Sequence, residues 1–396
     1  MAIFDSIGFG SQSYSNLYIE RGPFDHFDLL GLGFLARHQA TINFPKKTMY
    51  LQHNIGDSPA NSFPSHFATT FGWWEMEGVA PHFTKELLAD CIVTPPNLHP
   101  ADDMGFSSLF YAPAVISSCL SITRPDAIIR VIDLRSGNYH VRIDCKITNN
   151  ATGDKCPELQ CVPENTGPVV LMRGRGTIFI LHDYAQQKEF MFPWAFLFAQ
   201  AGYRAVLVDL RGHGESTGQT VPYGKSEVAD LSAVLDRING PENHGRKVGV
   251  FGVGYGANMA LHWAARDSRV GVIVAIAPFD KPEQAFQRMA NAENITISDH
   301  VLHESLAIVA TNLGIDWSDW SGSAAVRQLK EPILLISGGA DAVCPTNEIE
   351  ILGRAACPGS KTLMIQNATH GNVCYWMNAI AEPAKQWFAE HLQSEQ

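Results

Sequence analysis

Little of this chain is charged, and what charge it has is of the wrong sign for two large classes of partner. Charged residues make up 17% of 396 positions, and 40 acidic against 29 basic side chains leave a formal net charge of −11. A basic surface that would bind nucleic acid or an anionic membrane is therefore not expected. No apolar run approaches the roughly 20 residues needed to cross a bilayer. The opening Met-Ala-Ile-Phe-Asp lacks the basic and apolar stretches of a secretory signal. The eight cysteines are scattered, and only Cys156 and Cys161 fall close together, at a spacing unlike that of a zinc ribbon. They read as free thiols of a soluble cytoplasmic protein, with a Cys156–Cys161 bridge as the alternative in an oxidising compartment. Nothing asks for a metal or another cofactor. Oligomerisation through a sheet edge stays open.

What is present is a long alternation of strand and helix. Thr177–Leu181, Ala205–Val208, Lys247–Phe251, Val270–Ile276, Ile333–Ser337 and Thr362–Gln366 are short runs rich in β-branched residues and apolar on both faces, the signature of buried parallel strands. Between them, Val228, Leu231, Leu235 and Ile238 recur at helical spacing, with Glu227 and Asp230 in the first turn. This pattern specifies an α/β fold, a mostly parallel sheet with helices on both faces. A largely helical segment from about 281 to 330 interrupts it between two strands, where a lid over a site is expected. Trp317 and Trp320 lie in that segment and are read as packing residues.

Upstream the chain differs. Ala127–Arg135, Ser136-Gly137-Asn138 and Tyr139–Ile143 read as a hairpin, and 151–173, polar and with several prolines and glycines, reads as a linker. The expected organisation is a smaller β-rich region over 1–150, the linker, and an α/β domain over 174–396. Within the first region, Phe27–His38, Ala40–Pro45 and Thr48–Leu51, with Leu29-Leu30-Gly31 and Lys46-Lys47, resemble the closing part of a retropepsin-like aspartic protease domain, over residues 1–52. The Asp-Thr/Ser-Gly that such a domain needs for catalysis is not there, since Asp5-Ser6-Ile7-Gly8 has isoleucine in the glycine position. A structural fragment without protease chemistry is expected.

Three sites in the α/β region carry chemistry in the chain order nucleophile, acid, base. Gly252-Val253-Gly254-Tyr255-Gly256 joins a strand to a helix, Asp341 follows the strand ending at Ser337, and His370 lies in the loop after the last strand. A carboxylate so placed orients an imidazole, and the imidazole moves a proton between nucleophile and leaving group. These motifs, with Asp209-Leu-Arg-Gly-His-Gly-Glu-Ser-Thr-Gly218, resemble the α/β-hydrolase family of the serine esterase and peptidase type. The resemblance implies hydrolysis of ester, amide or thioester bonds through an acyl-enzyme. It makes Gly252 and Gly256 the glycines of a tight elbow, and gives an oxyanion hole from the backbone N–H of Tyr255 and one from Asp183 or Tyr184. It also makes Asp209 and Arg211 a bracing pair beside the elbow, with Ser216 structural.

The sequence departs from the family at the attacking residue, because Gly254 stands where serine is required. Ordinary acyl-enzyme turnover is therefore not expected. Three readings stay open: a pseudoenzyme whose pocket binds a small ester- or amide-like ligand or a partner, a hydrolase in which His370 and Asp341 activate a water in the space left by the serine side chain, and a serine hydrolase in which Gly254 is an engineered replacement. A thiol in the nucleophile's place, from Cys344 or Cys374, is disfavoured because neither lies on the elbow.

Overall fold

The computed structural model describes residues 83–94, 118–135 and 174–392 in full apart from 219, 225, 240–245 and 293–294, with a backbone course for several further strands. The aspartic-protease-like stretch 1–52 and the linker 151–173 lie outside the residues described in full.

The central feature is a nine-stranded sheet. Eight strands carry its architecture: β1 (Pro113–Thr123), β2 (Ile128–Val141), β3 (Thr177–Leu181), β4 (Arg204–Val208), β5 (Val248–Val253), β6 (Val270–Ile276), β7 (Ile333–Gly338) and β8 (Lys361–Ile365). They lie side by side in the order β1-β2-β4-β3-β5-β6-β7-β8, and a two-residue strand at Cys161–Val162 pairs with the far end of β2. From β4 to β8 all pairings are parallel, while β2 runs antiparallel to both β1 and β4. Every residue of β3 to β7 is buried, while the edge strand β8 begins with two exposed residues. This is the burial that both-face coverage by helices demands. The chain has the α/β-hydrolase fold.

Nine helices clothe it among the described residues: α1 (Lys85–Val93), α2 (Phe192–Gln200), α3 (Lys225–Ile238), α4 (Tyr255–Arg266), α5 (Pro282–Ala292), α6 (Asp299–Leu313), α7 (Gly322–Val326), α8 (Thr346–Ala355) and α9 (Met377–His391). The segment between β6 and β7 is helical as expected, holding α5 to α7. Trp320 is 2% exposed and stacks on His262 at a ring separation of 4.1 Å, so it packs.

Two features differ from the sequence expectation. The hairpin at Ser136–Asn138 does not form, because β2 runs unbroken from Ile128 to Val141. In addition, β1 and β2 belong to the main sheet although they lie upstream of Gly174. The reason is the apolar content of β2: Ile129, Val131, Ile132 and Leu134 are all 1% exposed or less, and they find cover only by extending the sheet beyond β4. An antiparallel pair at the edge of a parallel sheet is a common solution. Inside that junction Arg204 on β4 grips Asp133 on β2 with two hydrogen bonds, Nε–Oδ1 at 2.9 Å and Nη2–Oδ2 at 2.8 Å, and donates a third to the carbonyl of Ile238. Helix α1 is a further surprise in a region expected to be β-rich. Thr84 caps it by accepting from the Leu87 N–H, and Leu88 and Ile92, one turn apart, are fully buried.

Removing one partner of a buried ion pair leaves the other charge unpaired and costs about 3–5 kcal/mol. Asp133→Ala is therefore expected to lower the unfolding free energy by that amount in urea titration. A loss below about 1 kcal/mol would mean that β2 is not anchored by this pair.

Candidate active site

In parallel α/β sheets the carboxyl ends of the strands meet where loops leave for the helices, and sites are built there. Four such ends converge here. Asp183 follows β3, Gly254 follows β5, Asp341 follows β7 and His370 follows β8.

The turn from β5 into α4 is tight. Gly254 has φ +50°, and a Cβ on Gly252 would fall 2.4 Å from the Gly256 carbonyl oxygen, while one on Gly256 would fall 2.4 Å from that of His182. Both outer glycines are thus required by backbone contact. At Gly254 the obstacle is different: a Cβ there would lie 2.0 Å from Oδ1 of Asp183. The volume of the missing side chain is occupied by the Asp183 carboxylate.

That carboxylate is held firmly. Its Oδ1 accepts the backbone N–H of Tyr255 at 2.7 Å and that of Tyr184 at 2.7 Å, and its Oδ2 lies 3.4 Å from Nε2 of His370. On the other side of the imidazole, Nδ1 of His370 is 3.0 Å from Oδ2 of Asp341, whose Oδ1 accepts from the N–H groups of Val343 and Cys344. Asp183, His370 and Asp341 therefore form one line, headed by the N–H donors of Tyr184 and Tyr255. The expectation that Asp183 could itself donate into an oxyanion hole is not met by this geometry: the converging donors are Tyr184 and Tyr255, and Asp183 supplies the oxygen between them.

His370 is partly buried. Burial works against charging its ring, but the flanking carboxylates of Asp341 and Asp183 win, and its pKa stands well above the usual histidine value. Burial pushes the Cys344 and Cys374 thiols up to about 12, which keeps both protonated and unreactive. Asp341, Cys344 and His370 offer ligand atoms within 4.8 Å of one another, and these residues could hold a metal ion. A protonated thiol and a histidine engaged on both nitrogens make a poor ligand set.

The loop after β4 is braced, but not as a bridge between Asp209 and Arg211. Asp209 accepts from the backbone N–H and the Nζ of Lys188, both at 2.7 Å, and from the N–H of Glu215. Arg211 pairs instead with Asp230 on α3 through two bonds of 2.7 and 2.8 Å. Asp209 and Arg211 therefore each have a partner of their own, Lys188 for one and Asp230 for the other. Ser216 Oγ donates to the Asp209 carbonyl and accepts from Arg130 N–H, a structural role.

A narrow cleft of about 20 Å³ opens onto this line, lined by Phe279, Pro282, Ala285, Phe286 and Met289 from the segment between β6 and β7. Tyr184, Tyr223 and Tyr255 form its inner wall. Their hydroxyls donate away from it, those of Tyr184 and Tyr223 to the Ile92 carbonyl on α1 and that of Tyr255 to Glu227. Burial raises Glu227 to about 7. The part of α1 in roofing the site was not legible in advance, although Thr84 followed by Leu88 and Ile92 is a helix-start signal.

Comparison with known proteins agrees with the fold. Residues 173–315 match the family model described as serine aminopeptidase, S33; the match takes in the Asp183 loop and the elbow and ends before Asp341 and His370. An uncharacterised protein of Bacillus subtilis, YqkD, is 27% identical over 197 residues, or 49% of this chain and 64% of its own length. The chain thus spans less than two thirds of that relative. An uncharacterised 31.7 kDa protein of Escherichia coli, from the traX-finO intergenic region, is 23% identical over 54% of this chain and 91% of its own. Among solved structures, the Pyrococcus furiosus esterase Pf2001 superposes with a TM-score of 0.49 at 15% identity, covering 69% of this chain and 91% of its own. The α/β hydrolase GrgF of Penicillium sp. sh18 does so with 0.47 at 16% identity, covering 71% and 99%. The family likeness thus covers residues 173–315 of this chain, from β3 through the elbow into the helical segment that follows β6.

A histidine whose pKa is raised on folding adds stability that is complete below its unfolded value, about 6.5, and is lost as the pH climbs through the higher folded value. Ring carbon and nitrogen shifts of His370 are expected to report an imidazolium at neutral pH, with a midpoint that falls in Asp183→Asn. A neutral ring at pH 7 (about half a unit above its unfolded value) would contradict the assignment.

Proposed function

We propose that this protein descends from serine hydrolases and has given up acyl transfer through a serine, its pocket now receiving a small, largely apolar molecule. In this reading Asp341 and His370 are the retained acid and base positions, Tyr184 and Tyr255 supply the two oxyanion donors, and Gly254 is the vacated nucleophile position. The observation that carries it is the seat of Asp183: one carboxylate fills both the nucleophile's volume and the oxyanion hole.

Magnitudes favour this reading over a conventional hydrolase. A hydrogen bond to a charged group contributes roughly 1.5–3 kcal/mol and a neutral one roughly 0.5–1.5. The neutral carbonyl oxygen of an ester or amide would have to displace a carboxylate from two N–H donors, and loses that competition. The same seat argues against a water activated in the space of the missing side chain, because Asp183 Oδ1 takes that space. It also bears on an engineered Gly254, since a serine there demands that Asp183 move elsewhere.

The test is labelling by a fluorophosphonate probe together with hydrolysis of a short-chain p-nitrophenyl ester. The chain with Gly254 should do neither, and Gly254→Ser alone should also fail, because its Cβ meets Asp183. The pair Gly254→Ser with Asp183→Gly frees both the volume and the donors and should label, and adding His370→Ala should abolish the labelling. Labelling of the chain that carries Gly254 would overturn the reading.

A further inference from the structure

Two phenols meet at one oxygen where the cleft wall reaches α1. The hydroxyl of Tyr184 donates to the Ile92 carbonyl at 2.8 Å and lies 3.2 Å from that of Cys91, and the hydroxyl of Tyr223 donates to the same Ile92 oxygen. The rings of both tyrosines line the cleft. Ile92 belongs to the last turn of α1, where carbonyls have no partner within the helix and a cap or a water serves them. One donor would suffice there. Instead two buried tyrosines, from the loop after β3 and the loop before α3, converge on it.

The second tyrosine is held against its backbone preference. Tyr223 has φ +45°, in the left-handed region that a bulky residue avoids, and strain of this kind persists where the surroundings fix a functional geometry. Here the surroundings are rings: Trp317, Tyr255 and Phe286 lie 5.2, 5.7 and 5.9 Å from it. What the strained backbone secures is the aim of one hydroxyl at one acceptor. Burial holds both phenols above the usual tyrosine value, so both remain protonated donors.

We propose that Tyr184 and Tyr223 form a binding site for the carbonyl oxygen of a neutral ketone, and that the Ile92 carbonyl of α1 occupies this site as a built-in stand-in. The inference rests on the reading that the pocket receives a small, largely apolar molecule, and it names the polar group of that molecule. A ketone oxygen accepts two hydrogen bonds through its two lone pairs, as the peptide oxygen does. A carboxylate would bring a second buried negative charge near Asp183, and an ammonium would set donors against donors. The hydrocarbon part of the ketone meets Phe279, Phe286 and Met289. The cleft now holds about 20 Å³, roughly the room of one water, so a ketone enters only by displacing something. The end of α1 is the piece that competes for the same two donors, and beyond them the Val93 carbonyl ties it to the Val221 N–H at 2.8 Å. Binding exchanges one carbonyl for another and lifts the last turn of α1.

The experiment uses the full chain with acetophenone and ethylbenzene, which differ by a carbonyl in place of a methylene. Acetophenone is expected to bind at least ~10-fold more tightly, the upper range of one neutral hydrogen bond. The infrared carbonyl stretch of bound, carbon-13-labelled acetophenone should fall below its value in hydrocarbon solvent. In the chain carrying both Tyr184→Phe and Tyr223→Phe the rings stay, and the preference for the ketone should vanish. Cys91, a half-buried free thiol on α1, reports the helix: its alkylation by N-ethylmaleimide, followed by peptide mass spectrometry, should quicken as acetophenone saturates the protein. A ligand that left α1 in place would slow it or leave it unchanged. Equal affinity for the two probes, binding of neither up to its solubility, an unshifted carbonyl stretch, a preference that survives the double substitution, or Cys91 alkylation that does not quicken each overturns the proposal. The infrared and Cys91 readouts are taken on the unaltered chain, so a double variant that fails to fold leaves the test standing. Reaction with the fluorophosphonate, which overturns the preceding reading, bears on Gly254 and not on these two phenols.

Discussion

The contact on which this site depends is between a side chain and an absence. With no Cβ at 254, the carboxylate of Asp183 can move to within 2.0 Å of where one would be, and from there it reaches two backbone donors and an imidazole at once. Each of these contacts is made by an oxygen whose position the others fix. The charge of His370, the unavailability of the donors to a carbonyl and the exclusion of a serine side chain are one fact seen from three atoms. The rest of the fold serves to hold four strand ends at the spacing this demands, and the fully buried strands β3 to β7 leave those ends little freedom.

Much of this was legible in the sequence. The parallel strands announce themselves by apolar runs that do not alternate, because burial on both faces removes any need for a polar side. The elbow is readable from Gly252 and Gly256, whose demand is steric and local. Asp341 and His370 are readable because each stands directly after a strand, so strand order alone brings them to one edge, and the structure puts them 3.0 Å apart.

What was not legible depends on distance in sequence. The loop holding Asp183 can be placed beside the elbow from strand order, but nothing in Leu181-His-Asp-Tyr184 says that the side chain, and not the peptide N–H, enters the site. That turns on the missing Cβ at 254, a residue 71 positions away. The partners of Asp209 and Arg211 were misassigned for a similar reason: two opposite charges close in sequence suggest each other, while the fold offers Lys188 to one and Asp230 to the other. The edge strands were misplaced because the apolar face of β2 could be covered within an upstream unit or by extending the sheet, and its pairing with β4, with the Arg204–Asp133 grip, was not visible in the local sequence.

Helix α1 has a consequence for how the chain is made. Its buried face, Leu88 and Ile92, is covered in part by α6, which begins at Asp299, and its last carbonyls wait for the hydroxyls of Tyr184 and Tyr223. At synthesis rates of about 5–20 residues per second, the roughly 200 residues between α1 and α6 take about 10–40 s to emerge. For that interval the helix is made but the α6 face that covers Leu88 and Ile92 is not.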